Sequence, residues 1–276
     1  MTTLGKFTKI LLATDGSEYI VGAEREIINF AKTCGSEICI MSVVLSNPEY
    51  DTLAPKMVEQ AEQDAINYMS LVQNNANIAG IKNHTILRHS EYIYPEIVTV
   101  AKEQNVDLIV VGRRGKKGLL KLLLGSRTAE VINHVHCSVL IVPRTAKIRG
   151  KHILLAVDGS GYSEIDAARV TAKIAKYFAA PVTVISVVHN KTSKNNSTET
   201  IVAKICDILQ TEEIKVTSQI AVGKYAETIV EVAKNIGCDL IIVGNHGHTS
   251  LKNFWLGSVS EKVIKLADSA VLVVRK

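Results

Sequence analysis

The sequence offers little for covalent or membrane chemistry. Its five cysteines, Cys34, Cys39, Cys137, Cys206 and Cys238, are odd in number and form no C-x-x-C pair. Most lie in apolar runs or at helix ends, which fits buried free thiols in a reducing compartment better than a disulfide framework. No stretch approaches a membrane span. The first apolar run, Ile10–Ala13, is cut off by Asp15, too early for a signal peptide. A cytoplasmic protein without a membrane partner is expected. Long blocks of one charge sign are also missing. The 32 Lys and Arg against 27 Asp and Glu leave +5, which does not by itself require nucleic acid. The densest basic cluster, Arg113, Arg114, Lys116 and Lys117, has no aromatic side chains between its members, which weakens a nucleic-acid platform. It can draw in a polyanion or nucleotide tail, or it can be a solvated loop.

What is present is a globular composition, 47% apolar and 21% charged over 276 residues, long enough for two domains of ordinary size. The chain repeats itself. KILLATDGS (9–17) returns as HILLAVDGS (152–160), and IVTVAKEQNVDLIVVG (97–112) as IVEVAKNIGCDLIIVG (229–244). This is a tandem duplication, with residues 1–143 as one domain, 144–151 (RTAKIRGK) as linker and 152–276 as the other. In each half, short continuous apolar runs alternate with segments of helical period. That order predicts an α/β fold: two tandem doubly wound domains, each a five-stranded parallel sheet with helices on both faces. Polar stretches at 46–55, with two prolines, and at 190–200 are expected to be surface loops. The last strands, SVLIV and AVLVV, are apolar enough to pair the halves.

The repeat is most informative after the fourth apolar strand of each half. DLIVV leads into GRRGKKGLLKLLLGS, with glycines at 112, 115 and 125 and Ser126; DLIIV leads into GNHGHTSLKNFWLGS, with glycines at 244, 247 and 257 and Ser258. Both copies read glycine, two residues, glycine, nine residues, glycine, serine. The intervening residues differ while these positions persist, so the shared requirement is backbone geometry. A glycine loop leaving a buried strand lets amides approach phosphate closely, although glycines there can also serve only as strand ends and turns. The loop is neither a Walker A nor a dinucleotide G-x-G-x-x-G. Asp15 and Asp158, each in an Asp-Gly-Ser after the first strand, suit ribose hydroxyls or a metal near phosphate. The same tripeptide is an ordinary turn and N-cap.

With these motifs the chain resembles a tandem universal stress protein, over nearly all of both halves. The resemblance implies a Rossmann-like, adenine nucleotide alpha hydrolase-like fold binding ATP or AMP, possibly with Mg2+, at the crevice where strand order reverses. It implies that Gly112, Gly115, Gly125 and Ser126, and Gly244, Gly247, Gly257 and Ser258, hold phosphates and ribose. Asp15 and Asp158 stand at its acidic position beside the nucleoside, and Val43 and Val187 at its adenine-contacting position. Those valines would be half-buried core on any reading. It further implies a regulatory or stress-response role, weak ATP hydrolysis at most, and pairing through the last strands, with a homodimer expected. A ligand-free interaction module is the rival. No general base or arginine finger can be picked out by spacing, and TDGS or VDGS stands where related adenylating enzymes carry Ser-Gly-Gly-x-Asp-Ser. The histidine pairs 134/136 and 246/248 lack an evident third metal ligand. Trp255 is expected to pack the loop.

Overall fold

A computed structural model describes residues 7–113, 126–159, 162–189, 196–244 and 256–275. The first half runs β1 (Lys9–Ala13), α1 (Val21–Cys34), β2 (Glu37–Leu45), α2 (Pro48–Leu53), α3 (Pro55–Ile78), β3 (Asn83–Ser90), α4 (Ile93–Glu103), β4 (Leu108–Arg113), α5 (Ser126–His134) and β5 (Ser138–Pro143). The second runs β6 (Ile153–Val157), α6 (Tyr162–Phe178), β7 (Val182–Val188), α7 (Asn196–Thr211), β8 (Val216–Val222), α8 (Tyr225–Asn235), β9 (Leu240–Gly244), α9 (Ser258–Leu266) and β10 (Ala270–Val274).

Each half is a five-stranded parallel sheet, and the two join into one ten-stranded sheet ordered β3-β2-β1-β4-β5-β10-β9-β6-β7-β8. The seam is antiparallel, with Val271 opposite Ile141, Leu272 opposite Leu140 and Val273 opposite Val139. SVLIV and AVLVV therefore pair inside the chain as expected. These strands lie at the centre of the sheet and are buried along their whole length, which is why they read as unbroken apolar runs. A homodimer would have to use another surface.

Strand alternation divides the core into two layers. Ile10 and Leu12 face one layer with α1, α3, α6 and α7, and Leu11 faces the other with α4, α5, α8 and α9. The first layer crosses the seam, and Phe30 of α1 meets Phe178 of α6 at 5.6 Å between ring centroids. The apolar residues spaced along the first helix, Ile20, Ala23, Ile27, Phe30 and Ala31, are all buried. A full side chain of this kind contributes about 1.5–3 kcal/mol when buried.

Residues 144–151 are strapped down. Buried Glu26 on α1 accepts the Ile148 N–H at 2.8 Å, Asn29 Nδ2 donates to the Ile148 carbonyl at 2.9 Å, and Arg25 donates to the Ala146 carbonyl. Asp239, just before β9, accepts the N–H groups of Arg149 and Lys151 at 2.6 and 3.2 Å. Its counterpart Asp107 accepts those of Thr8 and Lys9 at 2.8 and 3.0 Å. The repeated aspartate of the DLIVV motif thus secures the start of each first strand, at the end of the sheet away from the glycine loops.

Two expected loops are partly helical. Residues 46–55 contain α2, and both prolines stand at first helical positions, Pro48 of α2 and Pro55 of α3. The missing N–H costs nothing there and the fixed φ helps. The second loop yields to α7 from Asn196, with Glu199 in its first turn matching the positive end of the helix dipole.

Candidate functional site

In each half the sheet order places the first and fourth strands side by side. The helix after the first, α1 or α6, lies on one face, and the helix after the fourth, α5 or α9, on the other. A crevice opens between the departing chains at this switch point. Leu12 pairs with Val110 and Ala156 with Val243. Asp15 and Gly112 therefore leave neighbouring strands, as do Asp158 and Gly244. Ala13 pairs with Met41 and Val157 with Ser186, which brings Val43 and Val187 to the same level. Val43 is half-buried and Val187 buried, both on the α4/α8 side of the sheet.

Gly112 has a packing reason for lacking a side chain. A Cβ there would lie 2.6 Å from the Tyr19 carbonyl and 2.9 Å from Ile20 Cα. The glycine lets the end of β4 touch the start of α1 and so brings the crevice walls together. Gly115, Gly125 and Gly247, with His246, His248 and Trp255, lie outside the described residues. Ser126 is the first residue of α5.

The second crevice is more fully described. Gly257 is the N-cap of α9 and supplies no side-chain cap, and Ser258 begins the helix, exposed to solvent. Ser260 Oγ donates to the Gly244 carbonyl at 2.9 Å, so the strand end and the helix start are adjacent. The first amides of a helix have no intrahelical acceptor. Beside a strand end they make a receptor for a phosphate oxygen.

The turns after the first strands are braced by side chains the motif did not reveal. Asp15 is exposed, and its Oδ1 accepts the Ser17 N–H at 3.0 Å. The Gly16 N–H donates to Thr14 Oγ1 at 3.2 Å, Thr14 Oγ1 donates to Glu24 Oε1 at 3.3 Å, and Tyr68 OH from α3 donates to Glu24 Oε2 at 2.8 Å. Burial lifts the Glu24 carboxyl above its usual range and Asp15 adds to the effect, while the two hydroxyls pull it back. Burial and then Glu24 itself raise the Tyr68 phenol. In the second half, Glu164 Oε1 accepts the N–H groups of Asp158 and Gly159, each at 2.6 Å. Tyr68 and Glu164 had no repeat partner to mark them. Only the position of Glu24 and Glu164 near the start of a helix could have drawn notice.

Arg113 belongs to neither of the roles open to it in sequence. It is buried, and its guanidinium donates to the carbonyls of Ile264 and Lys265 at the end of α9. Burial lowers its pKa, and Asp268 partly restores it. His134 and His136 are both exposed, and His134 Nδ1 meets the Glu130 carbonyl at 2.8 Å. Among the described residues no three His, Cys, Asp or Glu side chains could hold a metal together, and no helix is long and apolar enough to cross a membrane. The cysteines are free, and burial pushes the Cys34, Cys39, Cys137 and Cys238 thiols up to about 12.

A duplicated, doubly wound α/β sheet with a glycine-bounded crevice at each switch point defines a Rossmann-like protein of two tandem units. The universal stress protein family matches residues 6–143 and again 150–275, and the chain belongs to that family. A universal stress protein of Methanocaldococcus jannaschii is 33% identical over 148 residues, covering 51% of this chain and 85% of its own length. One from Synechocystis is 22% identical over 215 residues, 75% of this chain and 70% of its own. The crystal structure of a universal stress protein from Archaeoglobus fulgidus superposes with a TM-score of 0.79 at 24% identity, over 97% of this chain and 98% of that one, a likeness of fold.

Proposed function

We infer that the chain binds an adenine nucleotide, ATP or AMP, at the carboxyl end of each five-stranded half, and that it acts as a regulatory, stress-response protein of the cytoplasm. The observation that carries this reading is the second crevice, where the uncapped start of α9 stands against the end of β9 through Ser260 and Gly244. Phosphate would be received by the first amides of α9 and by the glycine-loop backbone. Asp158, and Asp15 in the first half, would face ribose hydroxyls, since a carboxylate repels phosphate and accepts from a hydroxyl. Val187 and Val43 would offer the apolar surface for the base. Mg2+ would serve to offset the carboxylate charge near a triphosphate. Residues 1–143 and 152–276 act as the two binding units, and free, high-pKa thiols suit a reducing compartment.

The test is calorimetric titration of nucleotide-stripped protein with ATP and Mg2+, repeated with AMP. Gly115→Val and Gly247→Val variants are titrated alongside. Two sites in the parent and one in each variant are expected. No heat, and no shift in melting temperature with either nucleotide, would overturn the reading in favour of a ligand-free interaction module.

A further inference from the structure

Resting on the nucleotide reading, this inference concerns what holds the second crevice in shape. α9 carries Gly257 and Ser258 at its amino end, and the first half grips it at both ends. Before the N-cap, the Leu256 N–H donates to Asn133 Oδ1 of α5 at 2.7 Å. At the far end, the buried guanidinium of Arg113 donates to the Ile264 carbonyl and, at 3.3 Å, to that of Lys265. Those carbonyls have no intrahelical donor, and a cation matches the negative end of the helix. The grip is returned. Arg275, beyond β10, donates to the Val135 carbonyl and, at 3.2 Å, to that of Asn133, at the end of α5. Each helix that follows a glycine loop is thus capped by an arginine from the other half, and Asn133 takes part in both contacts.

We propose that Asn133 and Arg113 are positioning residues of the second crevice. They fix α9 along its axis, so that its first amides stand where a phosphate is received. The second crevice is then a joint product of both halves, although its own ligand-facing residues all come from one.

The experiment uses the full chain and ATP with Mg2+. In a Gly115→Val background, where only the second crevice responds, Asn133→Leu should weaken binding about tenfold, the scale of one positioning hydrogen bond. Asn133→Asp keeps an acceptor at the same atom and should restore affinity to within about threefold. In a Gly247→Val background, where only the first crevice responds, Asn133→Leu should leave affinity unchanged. Arg113→Met should also weaken the second crevice, read together with its melting temperature because two carbonyls lose their cap. Unchanged affinity at the second crevice, or equal loss at both, overturns the proposal. An unsubstituted chain that binds no nucleotide removes the functional reading itself, and this inference with it.

Discussion

The two halves carry the same Asp-Gly-Ser after their first strands, yet they brace it differently. In the first half, Thr14 takes the Gly16 N–H and hands its own proton to Glu24, which is also held by Tyr68. The second half has Val157 where the first has Thr14, and valine cannot accept. A carboxylate supplies the acceptor directly, with Glu164 taking both the Asp158 and Gly159 amides. Gly16 and Gly159 both turn with positive φ, 68° and 90°. The backbone path is therefore the shared requirement, and the means of holding it is free to drift. A repeated motif reports the geometry that must be kept and says little about its supports.

The comparison breaks most readily at Glu164. Glu164→Ala removes the only printed acceptor for two amides in a turn where the replacing side chain offers none, and it should cost about 2–4 kcal/mol, visible as a lower denaturant midpoint with an unchanged slope. Thr14→Val gives the first half the residue of the second without its carboxylate brace. It should cost about 1 kcal/mol. Equal losses would show that the two braces are not different in kind. Gly112→Ala comes between them. Its Cβ would meet backbone atoms of Tyr19 and Ile20 that cannot swing aside, so a loss of about 1–3 kcal/mol is expected. Nucleotide affinity in the first crevice should fall with it, because the walls must part.

These positions also mark how far the sequence could be read. The strands were legible because the central ones are buried on both faces and cannot afford a polar residue. The duplication then supplied the sheet order and the switch points. The prolines at 48 and 55 misled because proline stops a helix from inside but suits its first turn. Arg113 looked like a loop cation because its acceptors, at Ile264 and Lys265, lie some 150 residues away and backbone carbonyls leave no mark in a sequence. Asn133 was invisible for the same reason, since its partner is the Leu256 amide. Residues that contact side-chain-specific neighbours announce themselves through pattern. Residues that serve the backbone of another half do not.

The finest distinction between the halves is electrostatic, and it falls on Glu24. Burial raises the Glu24 pKa above the 4.5 of an ordinary glutamate, and Asp15 contributes in the same direction. A raised carboxyl pKa means that the folded state holds its proton more tightly than the unfolded state does. Below 4.5 the group is protonated in both states and the fold is not penalised. As the pH climbs from 4.5 through the raised value, the unfolded chain ionises first and stability is lost. Glu24→Gln cannot ionise, keeps an oxygen for one hydroxyl and presents an amide to the other. The variant should therefore gain on the parent as the pH is raised from 4 to 8, and the gain should level off once Glu24 is ionised in both states. Thermal melts of both proteins across that range measure the difference. A gap that stays constant with pH would mean the hydroxyls of Thr14 and Tyr68 fully offset burial, and that the first brace is as indifferent to pH as a neutral one.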